Sequence, residues 1–235
     1  MTERKPTRND LAITLRVLAR LLQYPDSENR DHLPEMRTAL HGARIVGRQR
    51  LAELDALIDG QLAQSAIDIE ADYVQLFDCG RATSLHLFEH VHGDSRDRGP
   101  AMIDLAKTYE AAELYLAEGE LPDYLPVVLQ YASTQPPAQA RAFLAEMAHI
   151  FNAIFSALEK RESRYASVLG ALIEIAGETA RAVTVAPDEA LDESWAEPMA
   201  FDGCSTQGQA KPGQPQPIRI VRKVQVGQAS QGASS

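Results

Sequence analysis

Apolar residues recur at three- and four-residue spacing along most of the chain. Leu11, Leu15, Leu18 and Leu22 share one face of a first helix, which Asp10 can cap and Pro25 ends. A second, short helix can begin at Pro34, because proline suits the first helical position. A third spans roughly Val46 to Ala63, with Leu51, Leu54, Leu57, Ile58 and Leu62 on one side. Ser65 can cap a fourth, striped by Ile69, Tyr73, Leu76 and Phe77. The spacing fails from Asp78 to Pro100, where Gly80, Gly93 and Gly99 surround a short apolar stretch, Leu85 to Val91. This predicts a structured loop around a short helix, longer than a plain connector needs. Helical spacing resumes with Met102, Leu105, Ala106, Tyr109 and Leu116, and Gly119 is the expected stop. Leu121-Pro122-Asp123 opens a further helix through Tyr131, broken by Pro136 and Pro137. From Ala138 to Val183 the pattern is helical almost throughout, with a joint near Glu162 and Ser163. No two runs alternate as a hairpin would; the nearest thing to a strand is Ile218 to Val226. The expected fold is all-α, a single-domain helical bundle over residues 8–190.

Composition changes the picture at the C-terminus. From Ala196 to Ser235, Gly, Pro, Ser and Gln dominate, and such a stretch buries too little apolar surface to offset its ordering entropy. A tail over 196–235 is therefore expected to be disordered when free, and truncation after Cys204 to leave the melting temperature nearly unchanged. The chain carries a formal net charge of -10, which argues against nucleic acid and favours basic partners. In the tail, basic residues (Lys211, Arg219, Arg222, Lys223) outnumber acidic ones (Glu197, Asp202), so the acidity lies in the body. No apolar run is long enough to span a membrane, and Met1 to Asp10 lacks the apolar stretch of a secretory signal, so a cytoplasmic location is expected. Cys79 and Cys204 form no CxxC pair, and free thiols in a reducing compartment are the plain reading.

Candidate chemistry is concentrated between Phe77 and Gly99, which hold His86, His90 and His92 out of six histidines. His86 and His90 are spaced to share a helical face, with Cys79 and His92 nearby, as a metal site would need. Glu89 directly precedes His90, so the order is not HExxH, and histidines hydrogen-bonded within a tight loop are the simpler reading. Arg81, Arg96 and Arg98 among glycines could grip a phosphate, yet the spacing matches no nucleotide fingerprint, and Glu89, Asp94 and Asp97 are at hand to pair with them. Ser84, His90 and Asp94 are triad residue types without a nucleophile elbow. No catalytic group, metal or cofactor is expected.

The same residues carry a resemblance. Phe77-Asp78, Gly80 to Leu85 and Leu87 to Gly99 resemble the signature of the nitrate reductase molybdenum cofactor assembly chaperones, the NarJ or delta-subunit proteins. Arg20-Leu21-Leu22-Gln23-Tyr24-Pro25, Glu120 to Pro126 and Lys160 to Ala166 agree in the same order, so the resemblance covers about residues 10–200. It implies a TorD-like helical chaperone, not an enzyme. The implied partner is the immature catalytic (alpha) subunit of respiratory nitrate reductase, through that subunit's N-terminal helical segment. The implied role is to hold it until the molybdenum cofactor is inserted and it docks on the membrane subunit, with the chaperone absent from the finished enzyme. Glu89, His90, His92, Asp94, Arg96, Asp97 and Arg98, with Asp123 and Tyr124, are the expected partner-binding residues. The alternative is a metal- or nucleotide-binding helper that delivers the cofactor itself.

Overall fold

A computed structural model describes residues 7–93 and 95–181. Asp94, the tail over 196–235 and the strand-like run Ile218 to Val226 lie outside the described residues, as does the predicted domain end at 190. Among the described residues there are eleven α-helices and no strand. They are α1 (Arg8–Leu21), α2 (Ser27–Asp31), α3 (Leu33–Ala43), α4 (Arg48–Ala63), α5 (Ala66–Tyr73), α6 (Leu87–Val91), α7 (Arg98–Glu110), α8 (Leu125–Thr134), α9 (Pro137–Glu146), α10 (Ala148–Lys160) and α11 (Ala166–Ile175). None is long and apolar enough to cross a membrane.

The centre of the bundle is α11. Every residue from Ala166 to Ile175 except Glu174 is buried. A helix apolar all round has no solvent face to offer and must sit inside, and α10, α4 and α9 enclose this one. Glu174, its one charged residue, reaches Arg50 of α4 at 3.0 Å. The Arg50 guanidinium also lies 5.9 Å from the Phe155 ring centroid. It crosses α11 over Gly170, where a Cβ would collide with it. On the other side of the core, α1 packs against α8 and α3 through Leu11, Leu15, Leu18 and Leu22.

Local chemistry explains where the helices depart from expectation. Asp10 is not the cap of α1. Thr7 is, its hydroxyl accepting from the Asp10 N–H while the Asp10 carboxylate accepts from the Thr7 N–H, a capping box. Asp26 caps α2, a turn the periodicity did not suggest. The predicted run from Ala138 breaks at Met147 as well as near Glu162. α7 ends at Glu110, well before Gly119. Glu113 takes the left-handed conformation there (φ 59°), and the Leu114 N–H bonds the Tyr109 carbonyl at 3.0 Å. Glu162 (φ 52°) closes α10 in the same way, with Ser163 N–H on the Leu158 carbonyl at 3.0 Å. Both are Schellman closures with glutamate in the position usually given to glycine.

Candidate partner-binding site

The residues after Tyr73 leave regular helix in two steps. Val74–Asp78 form a π-helical turn, and Arg81–Thr83 a 3-10 turn. Widened π turns insert an extra residue and re-aim the side chains that follow. Here Phe77 is buried and Asp78 exposed. The chain then runs extended through Leu85 and His86 before α6.

That extended piece pairs with the Leu121 to Leu125 stretch. His86 and Tyr124 form an isolated antiparallel bridge. Leu87 N–H donates to the Asp123 carbonyl at 3.0 Å, and Leu125 N–H to the Leu85 carbonyl at 2.8 Å. Tyr109 steadies the same stretch, its hydroxyl donating to the Pro122 carbonyl at 2.8 Å.

Asp123 is fully buried at the centre of this junction. One carboxylate oxygen accepts from Phe88 N–H at 3.1 Å. No side chain at His86 caps α6, so Asp123 caps it from a distant part of the chain. Its other oxygen lies 3.3 Å from His86 Nδ1. Arg98, the first residue of α7, sits 3.3 Å from Glu89 and 3.8 Å from Asp123. The junction thus binds together the starts of α6 and α7 and the approach to α8.

The histidines have separate partners. The bond to Asp123 raises the pKa of His86 against the opposing effect of burial. Burial lowers that of His90, whose Nε2 lies 2.8 Å from the Ser84 carbonyl and donates to it. His92 meets Phe88 edge to face, with ring centroids 5.5 Å apart. Among the described residues no group of three His, Cys, Asp or Glu side chains is arranged to hold a metal ion.

Of the residues singled out from sequence, the structure unites Glu89, Arg98, Asp123 and Tyr124. His90 supports the same loop from within, and His92 stands beside Phe88. Arg96 and Asp97 are exposed on the turn before α7, where Ser95 accepts from Asp97 N–H. Asp94 lies outside the described residues. Sequence reasoning weighed His86 only as a metal ligand, whereas the structure places it in the junction, and it did not select as site residues Tyr24, Tyr73 and Asp78, which border it. Tyr24 and Asp78 do belong to the motif pieces that carry the family resemblance. Nothing in the sequence showed that these pieces meet.

Comparison with known proteins identifies the lineage. The model of the family described as nitrate reductase delta subunit matches residues 46–170, from the start of α4 into α11. The chain is 39% identical over 202 residues to the nitrate reductase molybdenum cofactor assembly chaperone NarJ of Escherichia coli (strain K12), covering 85% of this chain and 84% of that one. It is 32% identical over 164 residues to the probable nitrate reductase molybdenum cofactor assembly chaperone NarJ of Bacillus subtilis (strain 168), covering 70% and 88%. A solved structure from Archaeoglobus fulgidus, a redox enzyme maturation protein by its description, has the same fold. Its TM-score is 0.51 at 18% identity, over 76% of this chain and 98% of that one. The chain belongs to the nitrate reductase delta subunit family, that of the NarJ-type assembly chaperones.

Proposed function

We propose that this protein is a system-specific chaperone that binds the immature catalytic subunit of a respiratory nitrate reductase while the molybdenum cofactor is inserted. The carrying observation is the likeness to the E. coli assembly chaperone along 85% of the chain. The geometry fits that role. The polar cluster around Asp123 is a hydrogen-bonded junction that fixes the approach to α8 and the starts of α6 and α7. Ser84, the one triad-type serine of the loop, is buried and accepts from His86 N–H at 3.2 Å.

The target segment is the N-terminal helix of the catalytic subunit, bound in the cytoplasm and released before the finished enzyme assembles. An acidic body suits a basic amphipathic segment, and such attraction mainly speeds capture. Glu89, His92, Arg96, Asp97, Arg98 and Tyr124 serve as the contact surface, over Asp123 and His90 as its support. Pull-down of the catalytic subunit by this chain is expected, with loss of most capture when the subunit's first helix is deleted. Equal capture with and without that helix would remove the segment from the reading. No capture of either form would remove the reading itself.

A further inference from the structure

Two motif pieces remain without a role in this picture: Tyr24, before Pro25, and Asp78, after Phe77. The fold brings both to one pocket of about 280 Å³, lined by Tyr24, Tyr73, Phe77, Asp78, His86 and Tyr124, together with Leu85. That volume suits one side chain, being below the range of small-molecule sites.

Its walls are aromatic. Tyr24 and Tyr73 form a corner, centroids 5.6 Å apart and planes at 81°. Tyr124 lies over His86 at 5.3 Å. The hydroxyls of Tyr73 and Tyr124 are 3.3 Å apart, and Tyr73 donates to the Leu22 carbonyl at 2.8 Å. Each tyrosine therefore holds a fixed place. Tyr24 is tied to Glu70 at 3.0 Å yet remains 43% exposed at the mouth.

The remaining group is a carboxylate. Asp78 is carried to the rim by the π turn, and among the described residues no cation pairs with it. Its negative charge acts on all three tyrosine hydroxyls. After burial, it is among the influences that push each of them upward in pKa. His86 is the one basic side chain in the lining, and its Nδ1 is turned away to the fully buried Asp123. Ring faces with an unpaired carboxylate at the rim form a receptor for a cation, since aromatic faces attract positive charge and a carboxylate gives it a directional partner.

We propose that this pocket seats one basic side chain, a guanidinium by preference, of the catalytic subunit segment that the chaperone binds. The guanidinium lies against the exposed Tyr24 ring and bonds Asp78, which a planar fork does better than an ammonium. This rests on the proposed chaperone role, but the pocket can be tested apart from it.

The direct probe is N-acetyl-arginine methylamide at millimolar concentration, followed through ring-labelled tyrosines in the full chain, with the citrulline analogue as the neutral isostere. Shifts at Tyr24, Tyr73 and Tyr124 with arginine, absent with citrulline and absent in Asp78→Asn, are expected. No shift with arginine, or equal shifts with both, overturns the pocket whatever the partner is. The second measurement is capture of the catalytic subunit. Asp78→Asn should weaken it about tenfold, the scale of one charge-assisted hydrogen bond, without moving the melting temperature. Unchanged capture by Asp78→Asn overturns the pocket's role and leaves the chaperone reading standing. Arginine binding without capture of the subunit by the unaltered chain supports the pocket and removes that reading.

Discussion

A buried carboxylate with several donors is a strong place to cut. Asp123→Ala leaves Phe88 N–H uncapped and Arg98 and His86 short of a partner, so a loss of about 2–4 kcal/mol is expected in urea unfolding. Asp123→Asn keeps an acceptor for Phe88 and should lose about half as much. Arg96 and Arg98 divide by burial. Arg98→Ala removes the Glu89 pair and should cost about 1–2 kcal/mol. Arg96→Ala, fully on the surface, should stay within about 0.5 kcal/mol and affect only partner capture. The two histidines should titrate in opposite directions from 6.5, His86 above and His90 below, as imidazole proton resonances would show. The signs differ for stability too. The His86 contribution is complete below pH 6.5 and is lost as pH rises through its folded pKa. That of His90 is complete above pH 6.5 and is lost as pH falls toward its depressed folded pKa. These residue-level roles were only half legible. Asp123 belongs to the Glu120 to Pro126 motif, but His86 and Phe88 lie 37 and 35 residues away, and spacing in sequence says nothing of such pairs.

At the scale of elements, apolar periodicity was the dependable guide. The stripe of Leu11, Leu15 and Leu18 in α1, with Leu22 just past its end, is buried as expected, and so are Leu54, Leu57 and Ile58 in α4. Leu62 of the same predicted face is 45% exposed, one residue before α4 ends. Helix ends were less legible. The joint expected near Glu162 is there, but the stop expected at Gly119 falls earlier, at Glu113, because glutamate takes the left-handed position itself at both ends. The break at Met147 carries no glycine or proline, so the alanine-rich sequence on both sides reads as one helix. The burial of α11 makes it the most sensitive element. Leu172→Ala should cost about 2–5 kcal/mol, the range for a core leucine. Ile67→Ala, on a residue 80% exposed, should be close to neutral. Thermal melts of the two variants separate these outcomes.

For the whole molecule, the fold is a helical core with one excursion, from α6 through α7 to Pro122. α7 buries only Tyr109 among its residues, and the excursion is held at its two feet by the Leu87–Asp123 and Leu125–Leu85 hydrogen bonds. Closure at the feet makes length inexpensive, since doubling a flexible loop costs only about 0.6 kcal/mol. Gly119 stands near the far end with φ 87° and open space around its α-carbon. A reporter domain grafted there through short flexible linkers should leave the melting temperature of the bundle intact, as differential scanning would register. The excursion thus gives the protein a tether point that lies outside every helix, so that a reporter can ride on the chaperone while the packing of the bundle stays as it is.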